Sequence, residues 1–193
     1  MKKFLSALAA PFLALILCCP ALAADQAYVK LNTSKGDITL EINKAKAPVT
    51  AQNFLKNVQD GYYDGLIFHR VISGFMIQAG GMDKDMHPKA TKPSIKNEAD
   101  NGLKNQAYTV AMARTSDPDS ASTQFFINVA DNKALDFASK TQEGWGYAVF
   151  GKVVKGQEVV DAIKAVPTTT KGMYRDVPVD PVVIVKAQVV DKP

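Results

Sequence analysis

The stretch FHRVISGFMIQAGG, residues 68–81, sets a permanent cation, Arg70, and a polar amide, Gln78, among Phe68, Ile72, Phe75 and Met76. Strand alternation places Phe68, Arg70 and Ile72 on one face and His69 and Val71 on the other. Ser73-Gly74 makes a turn, after which Met76 and Gln78 share a face, with Phe75 and Ile77 opposite. One face of this hairpin therefore carries Arg70, Met76 and Gln78. Parity does not bring Phe75 there; only a twist at the turn would. A guanidinium beside an apolar shelf is costly as pure structure. It suits a ligand that is both apolar and carbonyl-bearing. The residues alone fit equally well an arginine whose stem lies over an apolar barrel face.

Other chemistries find little support. Both cysteines, Cys18 and Cys19, lie in the N-terminal apolar stretch, and His69 and His87 are the only histidines. A thiolate or histidine metal centre is thus poorly supplied, and no metal or other cofactor is expected. Neither a G-x-S-x-G elbow nor a glycine-rich phosphate loop occurs. Parity turns His69 away from Arg70, so it reads as a packed, hydrogen-bonded side chain, and His87 as a loop residue. A hydrolase built on His69 lacks a nucleophile.

The elements that must position this face begin after an export signal. Met1-Lys2-Lys3 gives a positive start, Phe4 to Leu17 is almost wholly apolar, and Ala21-Leu22-Ala23 offers small residues for cleavage. Cleavage after Ala23 leaves residues 24–193 as a single domain, exported to the periplasm, with no further membrane attachment expected. A lipoprotein signal fits less well, because Leu17 rather than a small residue precedes Cys18. Without Lys2 and Lys3 the side-chain charge falls from +4 to +2. The basic residues are dispersed, so nucleic acid is not an expected partner.

From Tyr28 the pattern is mostly short strands. AYVKLNTSKGDITLEIN alternates on both sides of Ser34-Lys35-Gly36-Asp37, a hairpin signal. APVTAQNFLKNVQDG changes period: Pro48 suits a first helical position, Val49, Phe54 and Val58 share a face, and Gly61 ends the helix. Further strands are expected at 66–72, 75–79, 107–113, 124–129, 147–154 and 182–190. A second helix in GQEVVDAIKAV would bury Val159, Val160, Ile163 and Val166. About eight strands and two helices indicate a mainly β fold, a closed or nearly closed antiparallel barrel capped by the helices, with a sandwich as the rival. The long polar loops 80–106 and 130–146 are natural carriers of a site.

VAMARTSDPDSASTQFFINV, residues 110–129, puts Gln124 and Phe126 on one parity, and ALD (134–136) and GWGYAVFGKV (144–153) follow. With FHRVISGFMIQAGG, these motifs resemble the cyclophilin-type peptidyl-prolyl cis–trans isomerases, most closely the exported bacterial members, from about Tyr28 to Val190. The resemblance implies a closed eight-stranded antiparallel barrel capped by two helices. It implies Arg70 as the catalytic residue, and Phe75, Met76, Phe126 and Leu135 as walls of a proline pocket. Gln78 and Gln124 match amides that hold substrate backbone and arginine in place. Ala113 matches a main-chain substrate contact. Arg114 stands where the family often has Asn, and Tyr147 where many members have His. The implied partners are proline-containing segments of unfolded or flexible exported proteins, bound by a monomer that assists their folding. A binding module using the same pocket without turnover is the alternative.

Two departures from the family pattern stand out. The residue before Leu135 is Ala134, where many members have Trp and several bacterial ones Phe, so weak cyclosporin binding is expected. The loop from Asp136 to Gly146 is longer than in many members, and its Trp145 could reach the pocket or pack locally.

Overall fold

The period-2 segments become strands and the period-3.6 segments become helices in the computed structural model, which describes residues 25–193. The proposed leader, 1–23, lies outside the described residues. The chain runs β1 (Gln26–Thr33), β2 (Gly36–Asn43), α1 (Pro48–Gln59), β3 (Leu66–Ile72), β4 (Met76–Asp83), β5 (Thr109–Met112), β6 (Phe125–Asn128) and β7 (Val149–Lys155). It continues through α2 (Gln157–Lys164), β8 (Thr168–Lys171), β9 (Tyr174–Pro178) and β10 (Ile184–Val190). Eight strands form one antiparallel sheet in the order β10-β1-β2-β7-β5-β6-β4-β3, and β8 and β9 pair separately.

The sheet curls but does not fully close. Its two ends, β10 and β3, meet through one isolated bridge, Ile67 to Val183, rather than through a ladder. Two backbone hydrogen bonds reinforce that seam: Gly65 N to Ile184 O at 2.8 Å and Phe68 N to Val182 O at 2.9 Å. The expectation of a closed barrel is corrected accordingly. The sheet is an open, strongly curled half-barrel with a short seam.

Alternation sorts the sheet into two apolar layers. Inside lie Ile77 and Ala79 of β4, Val110 and Met112 of β5, Phe125 and Ile127 of β6 and Phe150 of β7. Phe54 of α1 sits at the centre, its ring centroid 5.3 Å from Tyr63, 5.3 Å from Phe125 and 5.0 Å from Phe150. Val160 and Ile163 of α2 enter the same core. The helices thus contribute the apolar faces that the curled sheet needs to exclude water. On the outer side, Met76, Ala111, Phe126 and Val149 form a second, smaller cluster, joined by Phe75, Ala113, Leu135 and Tyr147.

Two sequence expectations are corrected at the level of single residues, and one element goes unforeseen. Phe68 does not share a face with Arg70. The pairing of β3 with β4 shifts between Phe68 and Arg70, so Phe68 and Val71 both enter the inner core while Arg70 faces out. An irregularity of this kind breaks strict alternation. Val49 is exposed at 42%, and the buried face of α1 is instead Thr50, Ala51, Phe54, Asn57 and Val58. The β8–β9 hairpin was not anticipated. Its segment TTTKGMYRDVP is too polar and too weakly alternating to announce itself.

Candidate active site

The outer cluster forms one wall of a cleft of about 180 Å³, lined by Arg70, Phe75, Met76, Gln78, Ala113, Arg114, Phe126, Leu135 and Tyr147. Each of these nine residues was expected from the sequence. Arg70 and Gln78 stand directly opposite each other on β3 and β4, and the next outward pair is Ile72 with Met76. Gln78 in turn faces Phe126 on β6. Register alone therefore sets a cation, an amide and two apolar side chains side by side. Phe75 reaches the cleft from the turn before β4, as only a twist at that turn allows; its backbone O accepts from Val129 N at 3.0 Å.

Gln124, the tenth expected residue, does not line the cleft. It lies behind Gln78, whose Nε2 donates to Gln124 Oε1 at 2.8 Å. Neither amide hydrogen-bonds Arg70 among the described residues, contrary to the expectation that they hold the arginine. The charged group nearest Arg70 is Asp176 on β9, with Oδ2 3.8 Å from Nε.

Arg114 closes the opposite side. Its Nε donates to Gly146 O and its Nη1 to Thr115 O, both at 2.8 Å, and its Cζ lies 4.6 Å from the centroid of the Tyr147 ring. Tyr147 meets Phe126 edge to face at 5.8 Å. The guanidinium is therefore held over an aromatic wall, a cation–π arrangement. The only charged residues in the lining are these two arginines, so the mouth of the cleft is cationic.

Sequence reasoning missed the groups that hold the walls from behind. Asn132 Nδ2 donates to Phe75 O at 2.8 Å and to Asn128 Oδ1 at 2.7 Å. Asn128 Nδ2 donates to Asn105 Oδ1 at 3.2 Å, and Asn105 Nδ2 reaches Leu135 O at 3.1 Å and Tyr147 O at 3.3 Å. Three asparagines, of which Asn105 and Asn128 are buried and Asn132 half-buried, thus tie Phe75, Leu135 and Tyr147 into one network. The spacing of Asn128 and Asn132 at the exit of β6 is visible in the sequence, but nothing there brings Asn105 beside them.

The remaining candidates fall outside the cleft. His69 is buried, the packed side chain expected, although its Nδ1 has no hydrogen-bond partner among the described residues. Burial, reinforced by the charge of Arg70, pulls its pKa down to about 4, so it is neutral at ordinary pH. Trp145 packs locally on Phe137, with ring centroids 5.5 Å apart. Among the described residues, the grouped metal-type donors are Asp83, Asp85 and His87, within 4.8 Å of one another. None of the three lines the cleft. Asp83 Oδ1 already accepts from the backbone N–H groups of Asp85 and His87, each at 2.9 Å.

Residues 28–189 match the family model described as cyclophilin type peptidyl-prolyl cis-trans isomerase/CLD. Peptidyl-prolyl cis-trans isomerase cyp18 of Streptomyces antibioticus is 62% identical over 161 residues, covering 83% of this chain and 97% of its own. Peptidyl-prolyl cis-trans isomerase A of Dickeya dadantii is 52% identical over 193 residues, the full length of both. A cyclophilin-type isomerase of Cryptosporidium parvum, solved by crystallography, superposes with a TM-score of 0.75 at 26% identity, covering 87% of this chain and 99% of that one. A second structure of it, in the presence of the dipeptide Ala-Pro, gives 0.73 at 26% identity, covering 86% and 99%. A family match across most of the chain, relatives that share more than half of its residues and a common curled-sheet fold agree, and the chain belongs to the cyclophilin-type peptidyl-prolyl cis–trans isomerases.

Proposed function

We propose that the cleft accelerates rotation about X–Pro bonds in proteins exported with this one, after removal of residues 1–23 in the periplasm, and so assists their folding. The observation that carries the reading is the placement of Arg70 on the same cleft as the apolar walls Phe75, Met76, Phe126 and Leu135. Rotation about an X–Pro bond breaks amide resonance and takes tens to hundreds of seconds unaided, across a barrier of roughly 20 kcal/mol. In the twisted transition state the prolyl nitrogen becomes pyramidal and regains its lone pair. A donor aimed at that nitrogen binds the twisted form better than either planar form, which is the condition for catalysis.

Arg70 supplies that donor as a forked, always charged group. The apolar walls hold the pyrrolidine ring while the preceding carbonyl turns. Gln78 and the main chain at Ala113 hold the flanking backbone, with Gln124 bracing Gln78. The Ala-Pro dipeptide used with the Cryptosporidium parvum relative supports a proline-bearing ligand for a cleft of this kind. Raising a rate from about 0.01 to about 1,000 per second needs roughly 7 kcal/mol. One well-aimed donor in a shielded site provides roughly 3–4 kcal/mol. Holding the ring and backbone in a pose that tolerates the twist provides the remainder.

The test is a proline-peptide isomerisation assay on wild type and Arg70→Ala. Turnover is expected to fall by about 100-fold or more while peptide binding persists. A wild-type protein that binds the peptide without turning it over is a binding module instead. The N-terminal mass of exported protein checks the cut after Ala23.

A further inference from the structure

The arrangement of Arg70 raises a question that the cleft lining does not answer: what aims the guanidinium? Its side chain is 45% exposed, and it donates no hydrogen bond among the described residues. Gln78, directly across the ladder, spends its amide on Gln124. A half-exposed arginine left to itself samples several rotamers, and ordering it costs much of its conformational freedom.

One carboxylate approaches it. Asp176 Oδ2 lies 3.8 Å from Arg70 Nε, and Asp176 does not line the cleft, so it meets the arginine from outside. The residue sits on β9, which packs along β3, and its backbone is unusual. Its φ is +59°, in the left-handed region that a residue with a Cβ seldom enters. Beyond that point β9 is anchored, with Val177 and Pro178 buried, and across it the pairing with β8 shifts register between Thr169 and Lys171. Aspartate and asparagine are the residues with a Cβ that enter this region most readily, so the backbone here favours a short polar side chain.

We infer that Asp176 is a positioning residue for the isomerase reaction: it holds the Arg70 guanidinium from the Nε side and leaves the terminal amino groups facing the proline pocket. The inference rests on Arg70 as the catalytic group. A half-exposed ion pair adds little to folding stability, because water and salt screen it. A small misplacement of a reacting group is nevertheless expensive in rate. Asp176 should therefore matter for turnover far more than for stability.

Asp176→Asn separates the charge from the backbone, since asparagine tolerates the left-handed region as well as aspartate does. Asp176→Gly relieves the backbone while also removing the carboxylate. Both variants are expected to keep the wild-type thermal midpoint and to keep KM for a proline peptide within about 2-fold, while kcat falls by about 5- to 10-fold. Asp176→Glu, which restores a carboxylate on a longer stem, should recover part of that loss. Independently of turnover, NMR of the Arg70 Nε–H group should show high order in wild type and reduced order in Asp176→Asn. An unchanged kcat, or unchanged order at Nε, overturns the inference. So does a higher kcat, which would make Asp176 a competitor of the substrate. A wild-type protein without turnover would instead sink the proposed function, and the NMR comparison keeps that outcome distinct.

Discussion

Gln78 Nε2 donates to Gln124 Oε1 at 2.8 Å, joining β4 to the segment that enters β6, directly behind the cleft. The bond fixes which way the Gln78 amide points: its oxygen is left to accept from a backbone N–H of the ligand. The contact is possible because Gly81 has no side chain. A Cβ there would lie 2.6 Å from both Cδ and Nε2 of Gln124. Gly81→Ala should push Gln124 aside, free the Gln78 amide and lower kcat/KM by about 10-fold through a higher KM. Peptide titration and steady-state kinetics on the variant check this; an unchanged KM would show that the paired amides are not needed for binding.

The apolar end of the cleft depends on Gly146. Its φ is +67°, and a Cβ would lie 2.6 Å from Leu135 O and 2.7 Å from Phe137 N. The same residue presents its carbonyl to Arg114 and precedes Tyr147, whose N donates to Leu135 O at 2.9 Å. Gly146→Ala is expected to cost about 1–3 kcal/mol of stability and to displace Leu135, Tyr147 and Arg114 together. Denaturant unfolding gives the first quantity, and KM for a proline peptide should rise several-fold.

The asparagine network makes a separable prediction. Asn132→Ala removes the donor to Phe75 O and leaves Asn128 Oδ1 without its partner. A loss of about 1–2 kcal/mol follows from unsatisfied buried groups. Phe75 O keeps the bond from Val129 N, so Phe75 is loosened rather than released while Arg70 is untouched, and KM should rise modestly, more than kcat falls. Equal effects on both would place the damage elsewhere.

His69 sets an acid limb on stability. Its folded pKa is about 4, against about 6.5 in an unfolded chain. Between those values the unfolded state carries a proton that the folded state refuses. Stability is therefore complete above about pH 6.5 and declines as pH falls towards 4, by at most about 3 kcal/mol from this residue. Denaturant unfolding across that range should show the decline, and His69→Phe should flatten it. Turnover involves no titrating group in the proposed chemistry, so activity should stay nearly flat between about pH 6 and 9.

Ala134 is exposed beside the Leu135 wall, in the short 3₁₀ turn Lys133–Leu135. The family resemblance associates an aromatic at this place with strong cyclosporin binding. Trp145, packed on Phe137, does not substitute for it. Weak cyclosporin binding is expected, with Ala134→Trp tightening it. A single-digit nanomolar Kd for the wild-type protein in a titration would contradict this.

The ladder pairs that build the cleft were legible because alternation and the two long motifs agree. Met76 and Gln78 share the face of Arg70 by parity alone, whereas Phe126 joins them through the resemblance. Arg114, Leu135 and Tyr147 were placed only by resemblance, since they lie on loops where no period applies. What escaped did so for local reasons. Phe68 changes face through a register shift that no sequence pattern marks. Asp176 arrives on a polar hairpin whose strands carry little apolar signal, and its approach to Arg70 spans more than a hundred positions of chain. Val49, though apolar, lies in the first turn of α1, where Glu98 rather than the core engages its backbone N–H at 3.1 Å.

The unfinished closure of the sheet has a consequence for a protein that handles extended peptide segments. A last strand with open N–H and C=O groups is a template on which another extended chain can add itself. Here β3, the strand bearing Arg70, is that last strand, and the short seam to β10 and the β9 ribbon lie against it. Flanked in this way, β3 offers a bound peptide little free ladder, and grip is expected to come from side chains in the notch rather than from strand addition along the rim.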